Sequence, residues 1–558
     1  MVRVTPTSEA ASGAALNSVK KTQIKISMTV LFLSTVILFA ALRSRDMFAV
    51  DGAVRCLEAF RRHALFFHEN NHMLYPADVL IWSRIAGAMG IRPVTPQGFF
   101  AMSELMNCAA AAGCVTILFY LSSLASGSTG LAIGTAAAYG LSRAFLFHAT
   151  SAAEPMVGVF WSFLALGCGL FALKYTSIWP MISCGLLFSL AMATYQSTIF
   201  LAPAVIALFW YGRNQTNGGR LQWLSCIRDA TVFVCAGVIG CFLVFGWAYW
   251  SQGQTTLSEM LGNFFRHRDA GSYFGVSIGK SLTLPIGLIH NLFPILKEFA
   301  GLQHLVSGPK TTLSFTLLLL LVFGLFSFYC VFLLAGAWKS LETRARTGIV
   351  VATTGLIFTL IPLLVWDPIY DKLWLQPLAC IFFLIAISIQ VLWRTRENGV
   401  LWSVLLSSAL FLGLALNFDD VVANHTRLDI QVKETDRLAT FIGTGDLLVG
   451  DWDKISTLYG YGWAKDGQFI SFPTEAVYFR SDSVSRLRSR IDERRNLGGR
   501  IYFLELLDEP RSTWESFLGS RCGVPFVTFD AYRANSTIRA TFLTNSGSVT
   551  LREFDASY

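Results

Sequence analysis

The chain has 558 residues, of which 53% are hydrophobic and only 14% charged, with a mean hydropathy of +0.51 and a formal net charge of +8. Soluble domains carry about 25% charged residues, so the composition excludes a wholly soluble protein and points to lipid. No clustered basic face accompanies the positive charge, which excludes nucleic acid as a partner; lysines and arginines in loops flanking apolar segments account for it.

The N-terminus is polar to about Thr22, and Lys20, Lys21 and Lys25 precede an apolar run to Leu42. That run is long for a signal peptide and no small-residue cleavage site follows, so it reads as the first spanning helix. Further apolar runs lie near 99–124, 129–147, 155–173, 178–194, 197–211, 229–250, 313–336, 347–366, 373–393 and 400–417. With 26–42 they predict about eleven helices, each near the ~20 residues a bilayer needs. The stretch 178–211 is too long for one helix, and Gln196 and Pro203 divide it into two.

A cytoplasmic N-terminus puts Lys174, then Arg213, Arg220 and Arg228, then Lys339, Arg344 and Arg346, then Arg394 and Arg396 in inside loops, as the positive-inside rule requires. An odd number of crossings then places the loops 43–98 and 251–312 and the tail 418–558 outside. In the first loop, Asp51–His68 and Asp78–Ile91 read as amphipathic helices at the membrane surface. The second loop carries the basic cluster Arg266-His267-Arg268 and a half-apolar stretch over Leu282–Phe299. The tail reads as a soluble α/β domain: helix 429–442, strand 446–451, helix 482–495, strand 501–505, helix 511–518, strand 526–529 and two strands within 537–553. The fold class is thus an all-α polytopic membrane bundle, residues 1–417, with a C-terminal soluble α/β domain, residues 418–558.

Eight of the eleven cysteines (108, 114, 168, 184, 235, 241, 330 and 380) sit in apolar runs and read as packing; Cys56 and Cys522 fall outside and are able to pair. No CxxC or HExxH pattern marks a metal centre. Polar groups instead gather at the outer helix ends: Asp46 and Asp51 after the first helix, Glu154 before the fourth, Tyr195-Gln196 between the fifth and sixth, and Asp367, Asp371 and Lys372 between the ninth and tenth. Each alone is a solvated loop residue as readily as a functional one, and Asp51 has a second role open to it as the N-cap of the following helix. Their gathering on one side favours a shared cavity.

DMFAVDGAVRCLEAF directly after the first helix, NNHMLYPADVLIW in the loop that follows, HATSAAEP before the fourth helix, MATYQSTIFLAP across the fifth and sixth, and WDPIYDKLWLQPL near the tenth together resemble the GT-C superfamily of membrane glycosyltransferases. That superfamily includes the protein O-mannosyltransferases and the lipid A aminoarabinose transferases. The resemblance covers about residues 26–211 and a patch near 366–377. It implies inverting transfer of a sugar from a polyprenyl-phosphate donor to the hydroxyl of a glycan, lipid or protein acceptor, at the periplasmic face of a bacterial inner membrane. In that chemistry Asp51, or failing it Asp46, is the general base. Lys372, Arg266, Arg268 and, less readily, Arg55 meet the leaving phosphate. Glu154, His72 and Gln196 line the donor cavity. Metal use varies across the superfamily, so the resemblance fixes no cofactor; Glu154 is the residue to hold a divalent ion, Mg or Mn, if one is used. The tandem Asp-Glu pair of the O-mannosyltransferases and the W-W-D-x-G signature of bacterial oligosaccharyltransferases are both absent, which argues against those branches. Competing readings are a transporter or flippase of a lipid-linked saccharide, a non-catalytic scaffold, and an O-antigen ligase or polymerase. The first is disfavoured by the lack of an internal repeat.

Overall fold

The computed structural model describes residues 8–43, 50–62, 72–91, 95–174, 177–216, 223–251, 278–293, 310–368, 370–395, 430–450, 468–479, 482–519, 522–544 and 547–555, with isolated positions between them. Asp46, Arg266 and Arg268 lie outside the described residues, as does most of the apolar run 400–417.

The first ten helices are α1 (Ser8–Ala41), α2 (Val50–Arg62), α3 (Tyr75–Ala88), α4 (Pro96–Ser126), α5 (Thr129–Leu141), α6 (Arg143–Thr150), α7 (Glu154–Lys174), α8 (Trp179–Thr194), α9 (Ala202–Thr216) and α10 (Trp223–Ser251). They are followed by α11 (Ile278–Leu292), α12 (Lys310–Ala337), α13 (Thr343–Thr359), α14 (Ile361–Val365) and α15 (Leu375–Thr395). Among the described residues six helices are long and apolar enough to cross a membrane, or seven if the bent pair α5–α6 is one span. The predicted eleven exceeds this for identifiable reasons. Helix α8 and the apolar part of α12, Ser327–Ala337, are short. The run 197–211 starts as a 3-10 turn, Gln196–Leu201, before α9.

Burial separates the spans. Helix α4 and the span Asp371–Arg394 are mostly enclosed, whereas α1 and α10 turn most of their surface outward. Outward leucines, isoleucines and phenylalanines are costly in water and costless in lipid. Helix α10 carries exposed Trp223 at one end and Trp247 and Trp250 at the other, the placement of interfacial aromatic belts.

Two expectations about the first loop change. Helix α2 does not lie on a surface: Val54, Arg55, Cys56, Leu57 and Ala59 are all buried. Val50 is already helical, so Asp51 stands inside α2 rather than at its N-cap. Helix α3 does keep an open apolar face, with Ile81, Ile85 and Met89 exposed at helical spacing.

The predicted span 129–147 is broken. Ser142 is extended and the chain turns by 70° between α5 and α6. The break strands the carbonyl of Leu141, and the Asn417 amide donates to it at 2.7 Å and to Leu292 at 2.8 Å, satisfying backbone that lipid could not. The bend turns α6 away from the line of α5.

The tail contains a five-stranded sheet of order β2-β1-β3-β5-β4, from β1 (Leu447–Gly450), β2 (Gln468–Ser471), β3 (Ile501–Leu504), β4 (Ser536–Thr544) and β5 (Gly547–Phe554). The inner strands β1 and β3 are parallel and fully buried, which is why they read as unbroken apolar runs. The edge strand β2 has the mixed sequence QFIS and half-buried residues, so the apolar pattern did not reveal it. The predicted strand 526–529 is a 3-10 turn. Phe526 and Phe529 both meet the Trp514 ring, as i and i+3 on one face do in a 3-10 turn and do not in a strand. Leu458 is buried in the core of the helical body, so the tail is docked on the bundle. Cys56 and Cys522 are buried in separate cores and are not bonded to one another.

The opposite end of the bundle is locked by an ion cluster. The Arg213 guanidinium meets Asp229 at 2.7 Å and donates to the carbonyls of Ala172 and Leu173, tying α9, α10 and the end of α7. Both side chains are buried. Asp229→Ala removes the carboxylate from a buried guanidinium and is expected to cost about 3–5 kcal/mol, read as a lowered unfolding midpoint in detergent. Adding Arg213→Met should recover most of the loss, and an unchanged midpoint in the single variant would contradict the assignment.

Candidate active site

At the other end of the bundle, four chain segments far apart in sequence meet at one carboxylate. Glu154 opens α7 and is buried. His72 Nε2 lies 3.3 Å from its Oε1, Lys372 Nζ 3.3 Å from the same oxygen, and Arg55 Nη1 3.7 Å from Oε2. All four side chains are nearly or wholly enclosed. A buried carboxylate is tolerated where cations surround it, and here they come from α2, the segment before α3 and the turn before α15.

The loop that presents Glu154 is clamped on three successive carbonyls. The Asn107 amide donates to Ser151 and Ala153, both at 2.7 Å. The carbonyl of Ala152 points at Gly52, where an added Cβ would lie 1.5 Å from the oxygen. Only glycine allows α2 to approach so closely. This contact sets the turn of α2 around Gly52, and with it the backbone of Asp51, directly against the Glu154 loop.

The Lys372 loop is held in the same way. Pro368 carbonyl accepts from Trp374 Nε1 at 2.7 Å and faces Gly287 of α11, where a Cβ would lie 1.9 Å away. Lys280 donates to the carbonyl of Val365 at 2.6 Å, and the Tyr139 hydroxyl donates to that of Leu375 at 2.9 Å. Lys372 also sits 4.9 Å over the ring of Tyr370, which stacks with Trp366.

His72 is fixed from behind. Its Nδ1 lies 3.4 Å from the carbonyl of Thr194, and its ring stacks on Tyr195 with centroids 5.7 Å apart. Both nitrogens therefore face oxygen acceptors, a pattern the imidazolium satisfies and a neutral ring satisfies only once. Gln196 follows Tyr195 and starts the 3-10 turn, half-buried.

A second charge group adjoins the first. Asp371 Oδ1 lies 3.4 Å from His148 Nε2, and Arg143 Nη1 donates to His290 Nε2 at 2.9 Å. The two groups share the consecutive residues Asp371 and Lys372.

Of the predicted site residues, Glu154, Lys372 and His72 come together, joined by Arg55. Asp51 adjoins them through the backbone at Gly52. Residues sequence reading missed are Gly52, Asn107, Arg143, His148 and His290. Two signals were present: Arg143 is an arginine inside an apolar run, and His148 opens HATSAAEP. Among the described residues no group of three or more His, Cys, Asp or Glu is placed to hold a metal ion. Arg55, His72 and Lys372 crowd both oxygens of Glu154, so a divalent ion does not fit there without displacing them.

No protein-family model and no curated protein sequence matches the chain. Its architecture does match solved structures. It is similar to the crystal structure of ArnT from Cupriavidus metallidurans bound to undecaprenyl phosphate, with a TM-score of 0.52 at 11% identity, over 96% of this chain and 99% of that one. The apo structure of the same protein matches over the same shares, with a TM-score of 0.55. The chain has the ArnT fold.

Asp78 of α3 borders the site and accepts from the Thr194 hydroxyl at 2.9 Å. Burial pushes its carboxyl up to about 7, an effect the Thr194 hydrogen bond only partly offsets. The folded state thus holds this proton more tightly than the unfolded chain. The stability so contributed is complete below about pH 4 and is lost as the pH rises through about 7. The unfolding midpoint of the wild type should fall across that window relative to Asp78→Asn, by up to about 4 kcal/mol in stability; parallel curves would contradict it.

Proposed function

We propose that this chain is a membrane glycosyltransferase that moves a sugar from a polyprenyl-phosphate donor to an acceptor hydroxyl. The observation that carries the reading is the convergence of Arg55, His72 and Lys372 on buried Glu154 at one end of an ArnT-like bundle. The similar ArnT structure holds undecaprenyl phosphate, a lipid whose head group requires cations at the mouth of an apolar body.

In the proposed reaction the acceptor oxygen attacks the anomeric carbon and forms the new C–O bond. The bond from that carbon to the phosphate oxygen breaks, its electron pair leaving with the lipid phosphate. The hydroxyl proton goes to Asp51, whose helix turn is pinned beside the Glu154 loop; Asp46 is the alternative base. Glu154 is a poor base because its cations favour the carboxylate. Its part is to hold Arg55 and Lys372 at the cavity, from which they meet the charge growing on the leaving phosphate. Arg266 and Arg268 of the loop 251–312 are further phosphate partners in this scheme, and Gln196 lines the donor cavity.

The same proposal has eleven crossings, with the shorter apolar helices completing the count. The site and the tail then lie on the periplasmic side of a bacterial inner membrane, and the tail, residues 418–558, caps the cavity or presents the acceptor. The charge distribution of the loops supports that orientation.

In lipid nanodiscs the purified protein should bind undecaprenyl phosphate and release it from an undecaprenyl-phosphate-linked sugar. Asp51→Asn should lower turnover by about 10²–10⁴-fold while leaving lipid-phosphate binding intact. Lys372→Ala should weaken that binding. Absence of binding by the wild type, or full turnover by Asp51→Asn, would overturn the proposal.

A further inference from the structure

His148 and His72 are both buried imidazoles beside a carboxylate, but their hydrogen-bond accounts differ. His72 places oxygen acceptors on both ring nitrogens, Glu154 Oε1 and the carbonyl of Thr194. It is a fixed cation within the Glu154 cluster. His148 is 4% exposed and has Asp371 3.4 Å from Nε2, and neither ring nitrogen makes a hydrogen bond among the described residues. Buried ring nitrogens left this way are costly unless a ligand or water hydrogen-bonds to them.

The surroundings narrow the ligand. Asp371 is the more open member of the pair, its side chain 28% exposed, so it offers an acceptor to the same occupant. Next to it the Tyr370 ring carries Lys372 and stacks on Trp366, which is 39% exposed. The remaining charged and titratable neighbours are Lys372 on the same turn and the Arg143–His290 pair from α6 and α11. A carboxylate and a ring nitrogen open to hydroxyl hydrogen bonds, an aromatic surface for apolar C–H faces and a cation toward the phosphate side amount to a site for a polyhydroxylated ring attached to an anion.

We propose that the His148–Asp371 pair, with Trp366 and Tyr370 beside it, binds the sugar ring of the glycosyl donor by hydrogen-bonding its hydroxyls. This rests on the glycosyltransferase reading and names the part of the site that reads the sugar. The Glu154 cluster, one residue away at Lys372, faces the phosphate. The division is physical: the Glu154 cations are matched to an anion, whereas the Asp371 carboxylate repels an anion and accepts from hydroxyls.

The test compares two probes in nanodiscs: undecaprenyl phosphate, and the same lipid phosphate carrying glucose, mannose or aminoarabinose. The wild type should bind at least one glycosylated form more tightly than the bare lipid phosphate. His148→Phe should erase that preference, a loss of about tenfold or more, with affinity for undecaprenyl phosphate unchanged. Trp366→Ala, at a more exposed position, should reduce the same preference and covers the case in which the buried variant fails to fold. Retained preference in both variants would overturn the assignment, as would equal weakening of both probes, which marks a structural or phosphate-binding role. A wild type that binds bare and glycosylated lipid alike overturns the sugar site while leaving the lipid-phosphate reading standing. A wild type that binds neither removes both.

Discussion

The end of the bundle where α7 begins is organised around one buried negative charge. Glu154 sits where three cations from separate segments face it at 3.3–3.7 Å. In an apolar bundle each of these groups alone would carry a large desolvation cost. Together they tolerate burial, and they draw α2, the segment ahead of α3, α7 and the turn before α15 to one point. The contacts are longer than the tightest charge-assisted hydrogen bonds, so the cluster is held by backbone as much as by its own attraction. Asn107 and Gly52 fix one loop; Trp374, Gly287 and Tyr139 fix the other.

That division suits a glycosyl transfer centre. Rigid loops keep the cations in place before substrate arrives, so little reorganisation is needed as charge develops on a leaving phosphate. The break between α5 and α6 contributes directly: by turning α6 away from the line of α5 it brings Arg143 and His148 next to Asp371. The cost of that break, a stranded backbone carbonyl, is met by Asn417.

Much of this was legible from residue types. Hydropathy located the helical segments, Gln196 marked the interruption between α8 and α9, the polar residues at helix ends singled out Glu154 and Lys372, and the family resemblance added His72. The remainder depends on contacts that no periodicity encodes. Helix α2 is amphipathic, which fits a membrane surface and a protein interface equally; only its partners bury it. The bend at Ser142 lies inside an apolar run with no proline to announce it. Gly52 and Gly287 look like ordinary glycines until a carbonyl oxygen is found where their Cβ would be. In the tail, the buried parallel strands were visible as apolar runs, while the mixed edge strand β2 was not. FVTF reads as a strand by composition and folds as a 3-10 turn because both phenylalanines pack on Trp514.

The central claim is that the Glu154 cations form the receptor for a lipid phosphate. The most direct measurement is a cryo-EM map of the protein in nanodiscs with undecaprenyl phosphate. The account predicts phosphate density at hydrogen-bond distance from Lys372 Nζ, with the lipid chain leaving along the bundle. Phosphate density elsewhere, with Arg55, His72 and Lys372 all still turned to Glu154, would contradict it.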